Sequence, residues 1–147
     1  MVKRAKVSTV HNAYETHYHI VFPIKYRKSL LTNEIPLAIV EIAREIAERY
    51  DIEFEKIGTD LHHIHILTSF APKYSGSDVV RIFKSITAKE LFARFPLLRK
   101  ELWGGEFWSD GFYLATVGER GNWKAVEHYV ANQGKTMNIS EQLQLLT

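Results

Sequence analysis

The sequence predicts an α+β fold, a four-stranded antiparallel sheet with two helices on one face and one additional helix at the end. Three observations predict it. The chain has 147 residues, the size of one domain able to bury its own core. It has no cysteine, so no disulfide framework or thiolate-ligated metal organises it. Its strand-like and helix-like segments follow one another as β-α-β-β-α-β, the order of a ferredoxin-like (RRM-like) split βαβ unit. No repeat, low-complexity tract or linker interrupts residues 1–147, so one domain is expected.

Each element has a local reason. Residues 15–24 (ETHYHIVFPI) are β-branched and aromatic, as strands are, and Pro23 places their end or an edge there. Asn33 is a helix cap with Pro36 in the first turn. Leu37, Val40, Ile42, Ala43, Ile46 and Ala47 then recur near the helical period, giving a helix over 34–50. Residues 52–59 (IEFEKIGT) alternate apolar and polar, and 61–70 (LHHIHILTSF) make the next strand after a tight connection at 58–60. Ser77 or Asp78 caps a second helix with Val80, Phe83, Ile86, Ala88 and Leu91 as core candidates, and Pro96 ends it. Residues 101–111 read as a loop and 112–117 (FYLATV) as the fourth strand. Asn122 opens a last helix that Gly134 stops, over about 122–134, and the tail after it reads as weakly ordered or helical. In this topology the first and third strands are central, and one sheet face is left open.

Composition narrows the function classes. Hydrophobic residues make up 46% and charged residues 24%, which excludes disorder, collagen and coiled coil. No apolar run reaches the ~20 residues of a membrane span, and no apolar stretch follows the basic N-terminus as in a secretory signal. A cytoplasmic protein with no membrane partner is expected. Net charge is only +2, but segments 1–31, 32–60, 61–100 and 101–147 carry +5, −5, +5 and −3. Two basic segments folded together would build a positive face for a polyanion.

The chemistry concentrates in Leu61-His62-His63-Ile64-His65-Ile66-Leu67. Strand side chains alternate, so His63 and His65 share a face, about 7 Å apart on a rise of ~3.3 Å per residue. Ile64 and Ile66 face the core. His62 sits with Ile64 and reads as a strand-edge or capping residue. Two imidazoles on the open face of a central strand suit one metal ion, although strand histidines without a ligand are common and His17 and His19 form a second pair of the same spacing. On the last helix Tyr129 and Gln133 stand at i and i+4, one above the other. A phenol can attack a phosphodiester and hold the strand as a phosphotyrosine ester. With a reference pKa of about 10 it needs assistance, which a divalent cation such as Mg²⁺ or Mn²⁺ can supply at the phosphate. His63, His65 and the Gln133 carbonyl would be three neutral ligands, leaving positions for phosphate oxygens.

With these residues the sequence resembles the single-tyrosine HUH transposases (TnpA type) of the insertion-sequence-200/605 group. The resemblance covers residues 16–133 and is carried by HYHIVFPIKYRKSLL at 17–31, GTDLHHIHIL at 58–67, VVRIFKSITAKEL at 79–91, LWGGEFWSDGFYLATVG at 102–118 and VEHYVANQ at 126–133. His63-Ile64-His65 matches the HUH motif, Tyr129 the nucleophile and Gln133 the third metal ligand. The resemblance implies a homodimer that recognises hairpins in single-stranded DNA at element ends. It implies cleavage to a 5′-phosphotyrosine and a free 3′-OH, excision as a single-stranded circle and reinsertion. It implies action in a prokaryotic cytoplasm, at the nucleoid. The glycines of 118–121 could serve as a hinge before the tyrosine helix or as a plain turn.

Lys25, Tyr26, Arg27 and Lys28, with Arg81 and Lys84 at i and i+3 of the second helix, are candidates for phosphate contacts and base stacking. Trp103 and Trp108 read as packing or dimer residues. Two other readings compete: a non-catalytic single-stranded nucleic-acid-binding module, and a domesticated relative that processes repeat hairpins with the same chemistry. A small-molecule metal hydrolase is disfavoured, because the matched ligand set lacks a carboxylate.

Overall fold

In the computed structural model, residues 7–8, 13–14 and 16–117 are described. A two-residue ladder, β1 (Val7–Ser8) with β2 (Ala13–Tyr14), precedes the main sheet. The elements β3 (His17–Pro23), α1 (Ile35–Arg49), β4 (Ile52–Thr59), β5 (His63–Phe70), α2 (Gly76–Arg94), the short α3 (Leu98–Glu101) and β6 (Tyr113–Val117) follow. The four long strands form one antiparallel sheet ordered β4-β5-β3-β6. This is the expected ferredoxin-like arrangement, with the first and third of its strands, β3 and β5, in the centre.

Alternation divides the sheet into two faces. Ile20, Phe22, Ile64, Ile66 and Phe70 meet Ile39, Ile42 and Ile46 of α1 and Val80, Phe83 and Leu91 of α2 in one core. Each such side chain contributes about 1.5–3 kcal/mol by leaving water. The opposite face carries His17, His19 and Val21 of β3 and His63, His65 and Leu67 of β5; it is not the open face expected, because His17, His19, Val21, His65 and Leu67 are all buried. The register sets Val21 opposite His65 and His19 opposite Leu67. Gly58 of β4 lies opposite His65 and adds no side chain there.

Several local expectations are corrected. Asn33 does not cap α1: its backbone is left-handed, with φ of 55°, and Glu34 takes the cap position without a side-chain bond. Pro36 does sit in the first turn. The buried stripe of α1 is Ile35, Ala38, Ile39, Ile42, Ala43 and Ile46, while Leu37 is exposed. The cap of α2 is Ser75, not Ser77 or Asp78. Ser75 Oγ accepts from the Asp78 N–H, and the Asp78 carboxylate accepts from the Ser75 N–H, a reciprocal capping box. At the start of α2 a Cβ on Gly76 would fall 2.4 Å from Leu114, so glycine lets the helix approach β6.

Residues 102–111 are a loop, as expected, but one that sends side chains into the core. Phe107 and Trp108 are buried. Trp108 packs edge-on against Phe22 and Phe107, and its indole N–H donates to Thr87 Oγ1 at 2.8 Å. Trp108 also bridges Ile24, so this loop runs beside the end of β3. Tyr129 and Gln133 lie outside the described residues, as do Asn122, Gly134, the connection at 118–121 and the whole expected last helix.

Candidate metal and nucleic-acid site

The site forms where three segments meet at one end of β3 and β5. The turn after β3 is tied to the turn before β5 by Ile24 N–H donating to His62 O (2.9 Å) and Leu31 N–H to Leu61 O (3.0 Å). It is tied on its other side to the 101–109 loop by Lys25 N–H donating to Phe107 O (2.9 Å) and Ser109 N–H to Pro23 O (3.1 Å). Lys25–Arg27 form one 3-10 turn in which Tyr26 and Arg27 are left-handed, with φ of 59° and 51°. Side chains resist that region by about 1–2 kcal/mol per residue. The ties on both sides hold the turn there.

Asp60 sets the start of β5. Its Oδ1 accepts from the N–H groups of His62 (3.1 Å) and His63 (3.0 Å), and its own N–H donates to His63 O. The same Oδ1 lies 3.5 Å from His63 Nδ1. On the ring's other side Arg27 Nη1 donates to His63 Nε2 at 2.9 Å. A guanidinium has no acceptor, so Nε2 contributes its lone pair and the proton sits on Nδ1, toward Asp60. That is the tautomer of a metal-ligating histidine held by a carboxylate. Asp60 is the residue that sequence reasoning missed. An aspartate two and three residues ahead of paired histidines is the signal, because its side chain can accept their backbone N–H groups.

Three imidazoles on this face, His19, His63 and His65, are held toward the neutral form. Burial holds His65 down to about 3, with His19 adding to the effect, and burial holds His19 down to about 4. His63 is lowered by burial, helped by His62 and Arg27 and opposed by Asp60. Rings of His19 and His65 stack at 5.9 Å. His17 is nearly fully buried and its Nδ1 contacts Glu55 Oε1 at 2.9 Å. A neutral His63 with its Nε2 lone pair turned outward and an orienting carboxylate behind it fits a divalent cation. Among the described residues Asp60, His62 and His63 have potential ligand atoms within 4.8 Å of one another. Two backbone bonds already engage Asp60 Oδ1, which suits it to orienting His63.

The expected nucleic-acid contacts divide. Tyr26 and Arg27 are exposed beside His63. Lys25 pairs with Glu106 at 2.8 Å, which raises its pKa, and Lys28 lies 3.8 Å from Glu101. Arg81 is exposed and bonds Asp78. Lys84 turns inward: its ammonium donates to the carbonyls of Ser109 and Gly111, each at 2.7 Å, and lies over the Phe22 ring. It anchors the loop that carries Trp108.

The class follows first: a small α+β domain with imidazoles and a guanidinium meeting at one end of the central strands, at the partly exposed His63, an arrangement suited to phosphodiester chemistry. Within that class the chain belongs to the IS200-like transposase family, because residues 12–133 match the family described as "Transposase IS200 like". It is 31% identical over 121 residues to the ISDra2 transposase TnpA of Deinococcus radiodurans, covering 82% of this chain and 85% of the relative. It is 30% identical over 138 residues to the transposase for insertion sequence element IS200 of Salmonella typhimurium, covering 94% and 90%. A solved Deinococcus radiodurans structure described as that of a transposase superposes with a TM-score of 0.69 at 26% identity, over 88% of this chain and 99% of the other. The chain is thus a transposase of insertion-sequence type. Among the described residues no helix is long and apolar enough to cross a membrane.

Proposed function

We propose that this transposase cuts and rejoins single-stranded DNA at hairpin-bearing element ends through a phosphotyrosine bond, acting as a homodimer in a prokaryotic cytoplasm. The observation that carries the proposal is His63. Asp60 lies behind its Nδ1, and its Nε2 lone pair is turned toward a cation, the Arg27 guanidinium.

In this reading His63, His65 and Gln133 hold Mg²⁺ or Mn²⁺. A bound divalent cation would polarise the scissile phosphate and stabilise the departing oxygen. Tyr129 supplies the nucleophile. Its phenolate oxygen forms a bond to phosphorus as the bond to the 3′-oxygen breaks. The 3′-oxygen leaves and takes a proton, and the 5′-phosphate stays on Tyr129. In the reverse step a 3′-OH attacks that phosphorus, loses its proton and releases the phenolate. One phosphoester replaces another, so joining needs no nucleotide cofactor. Arg27, which donates to His63 Nε2 in this structure, is a guanidinium that could instead donate to a phosphate oxygen.

The test is a covalent-adduct assay. Labelled single strands from both flanks of the gene, with Mn²⁺ or Mg²⁺, are resolved on denaturing gels. The expected result is an adduct on single strands only, lost with EDTA and with Tyr129→Phe. DNA retarded on native gels but never cleaved by the wild type would instead support a binding module.

A further inference from the structure

We propose that Tyr26 and Trp103 form a stacking platform for an unpaired nucleobase, placed next to the metal site so that the attached phosphate reaches Arg27. The proposal deepens the function proposed above and rests on that reading.

The two rings are stacked, with centroids 5.4 Å apart and planes 19° apart. Neither is covered: Tyr26 is 50% exposed and Trp103 77%. A stacked aromatic pair this open has not been used to build the core. Apolar surface of this kind marks a binding surface when its surroundings say what binds. Here they do. Lys25 Nζ lies 5.7 Å from the Tyr26 ring centroid, and Arg27, Lys28 and Lys100 are close in sequence to one ring or the other. Open rings interleaved with cations are the composition of single-strand grooves, where bases stack and phosphates track the charge.

The backbone points the same way. Tyr26 stands on the left-handed turn, which is clamped from both sides by the hydrogen bonds at Ile24 and Lys25. Trp103 stands on the loop that this clamp holds. The construction presents two rings from distant segments in one fixed stack. Adjacent Cα atoms are ~3.8 Å apart, and Arg27, the residue after Tyr26, donates to His63. A base on the platform would therefore lie next in sequence to the guanidinium that bonds His63. The platform would hold the nucleotide beside the scissile bond and set the strand's register.

The experiment separates base stacking from phosphate attraction. The probes are a labelled oligo-dT strand and a strand of equal length made of abasic units, which keeps the phosphates and removes the bases. Anisotropy titrations at low salt compare wild type, Trp103→Ala, Trp103→Phe and Tyr26→Asn, the last because asparagine tolerates the left-handed backbone. Circular dichroism verifies folding, which removal of an exposed ring leaves intact. The wild type is expected to prefer dT over the abasic strand. Trp103→Ala and Tyr26→Asn should weaken dT binding roughly tenfold with little effect on the abasic strand, and Trp103→Phe should restore most of the loss. Equal losses on both strands, or none, overturn the platform. So does a change from dimer to monomer in light scattering with DNA binding intact, which would assign the rings to contact between copies. The adduct assay distinguishes the two levels: wild-type adduct with no Trp103 effect refutes the platform alone, whereas no adduct refutes the catalytic reading.

Discussion

The two central strands carry the same motif on the same sheet face, and they use it differently. His17-Tyr18-His19 of β3 and His63-Ile64-His65 of β5 each present two imidazoles to the sheet face opposite α1 and α2. The β3 pair is sealed. His17 and Glu55 are each about 1% exposed and bonded to one another, and His19 is 1% exposed, stacked on His65. The β5 pair is graded. His65 is buried, but His63 stands at the strand's first position, 15% exposed on its side chain, between Asp60 and Arg27. Periodicity gives both pairs the same face. Their neighbours decide which pair can receive a ligand: a buried carboxyl group fixes His17 in the fold, whereas a carboxylate behind His63 and a mobile-length guanidinium in front leave its lone pair exchangeable.

The contrast can be broken most strongly at His17. His17→Ala leaves Glu55 buried without its partner, and burial already pushes that carboxyl group upward. Loss of one member of such a pair costs about 3 kcal/mol, so denaturant unfolding should shift markedly, while the protein that remains folded still binds metal. Arg27→Ala sharpens the other side. With the competing donor and like charge gone, Mn²⁺ affinity in the absence of DNA should rise roughly fivefold, the order of the ~1 kcal/mol between unit charges at contact in water. Calorimetry would measure it, and unchanged affinity would show that Arg27 does not compete for the lone pair.

A further difference is in pH. His19 has a folded pKa of about 4 against about 6.5 for an unfolded chain. As pH falls below about 6.5 the unfolded state takes up a proton that the fold refuses, so stability declines until about pH 4 and then levels. The His19→Gln variant should show a shallower decline of thermal midpoint over that window. An identical slope would mean that His19 is not held neutral.

The sheet was legible because period 2 and strand order are local properties, and they place His63 and His65 on one face without further information. Cap positions were less so. The Ser75-x-x-Asp78 pattern was present to be read, whereas the left-handed backbone at Asn33 depends on the turn's tertiary ties. The periodicity that includes Leu37 located the helix, and only the packing shows that Leu37 itself is exposed. Trp108 packs as one of the two readings given for it, whereas nothing local marks Phe107 as core, since a loop has no period, and nothing local joins Tyr26 to Trp103. Lys84 shared a helical face with Arg81, but only the fold brings the carbonyls of Ser109 and Gly111 to its ammonium. The pairing of Tyr129 with Gln133 remains an inference from helical spacing and family membership.

The most direct test of the difference between the two histidine pairs is a Mn²⁺ titration followed by electron paramagnetic resonance, on wild type, His63→Ala and His17→Gln, each with a single-stranded oligonucleotide. The account predicts that His63→Ala abolishes the bound-manganese signal and that His17→Gln, once shown to be folded, retains it. Retention in His63→Ala with loss in folded His17→Gln would contradict it, and would move the metal to β3.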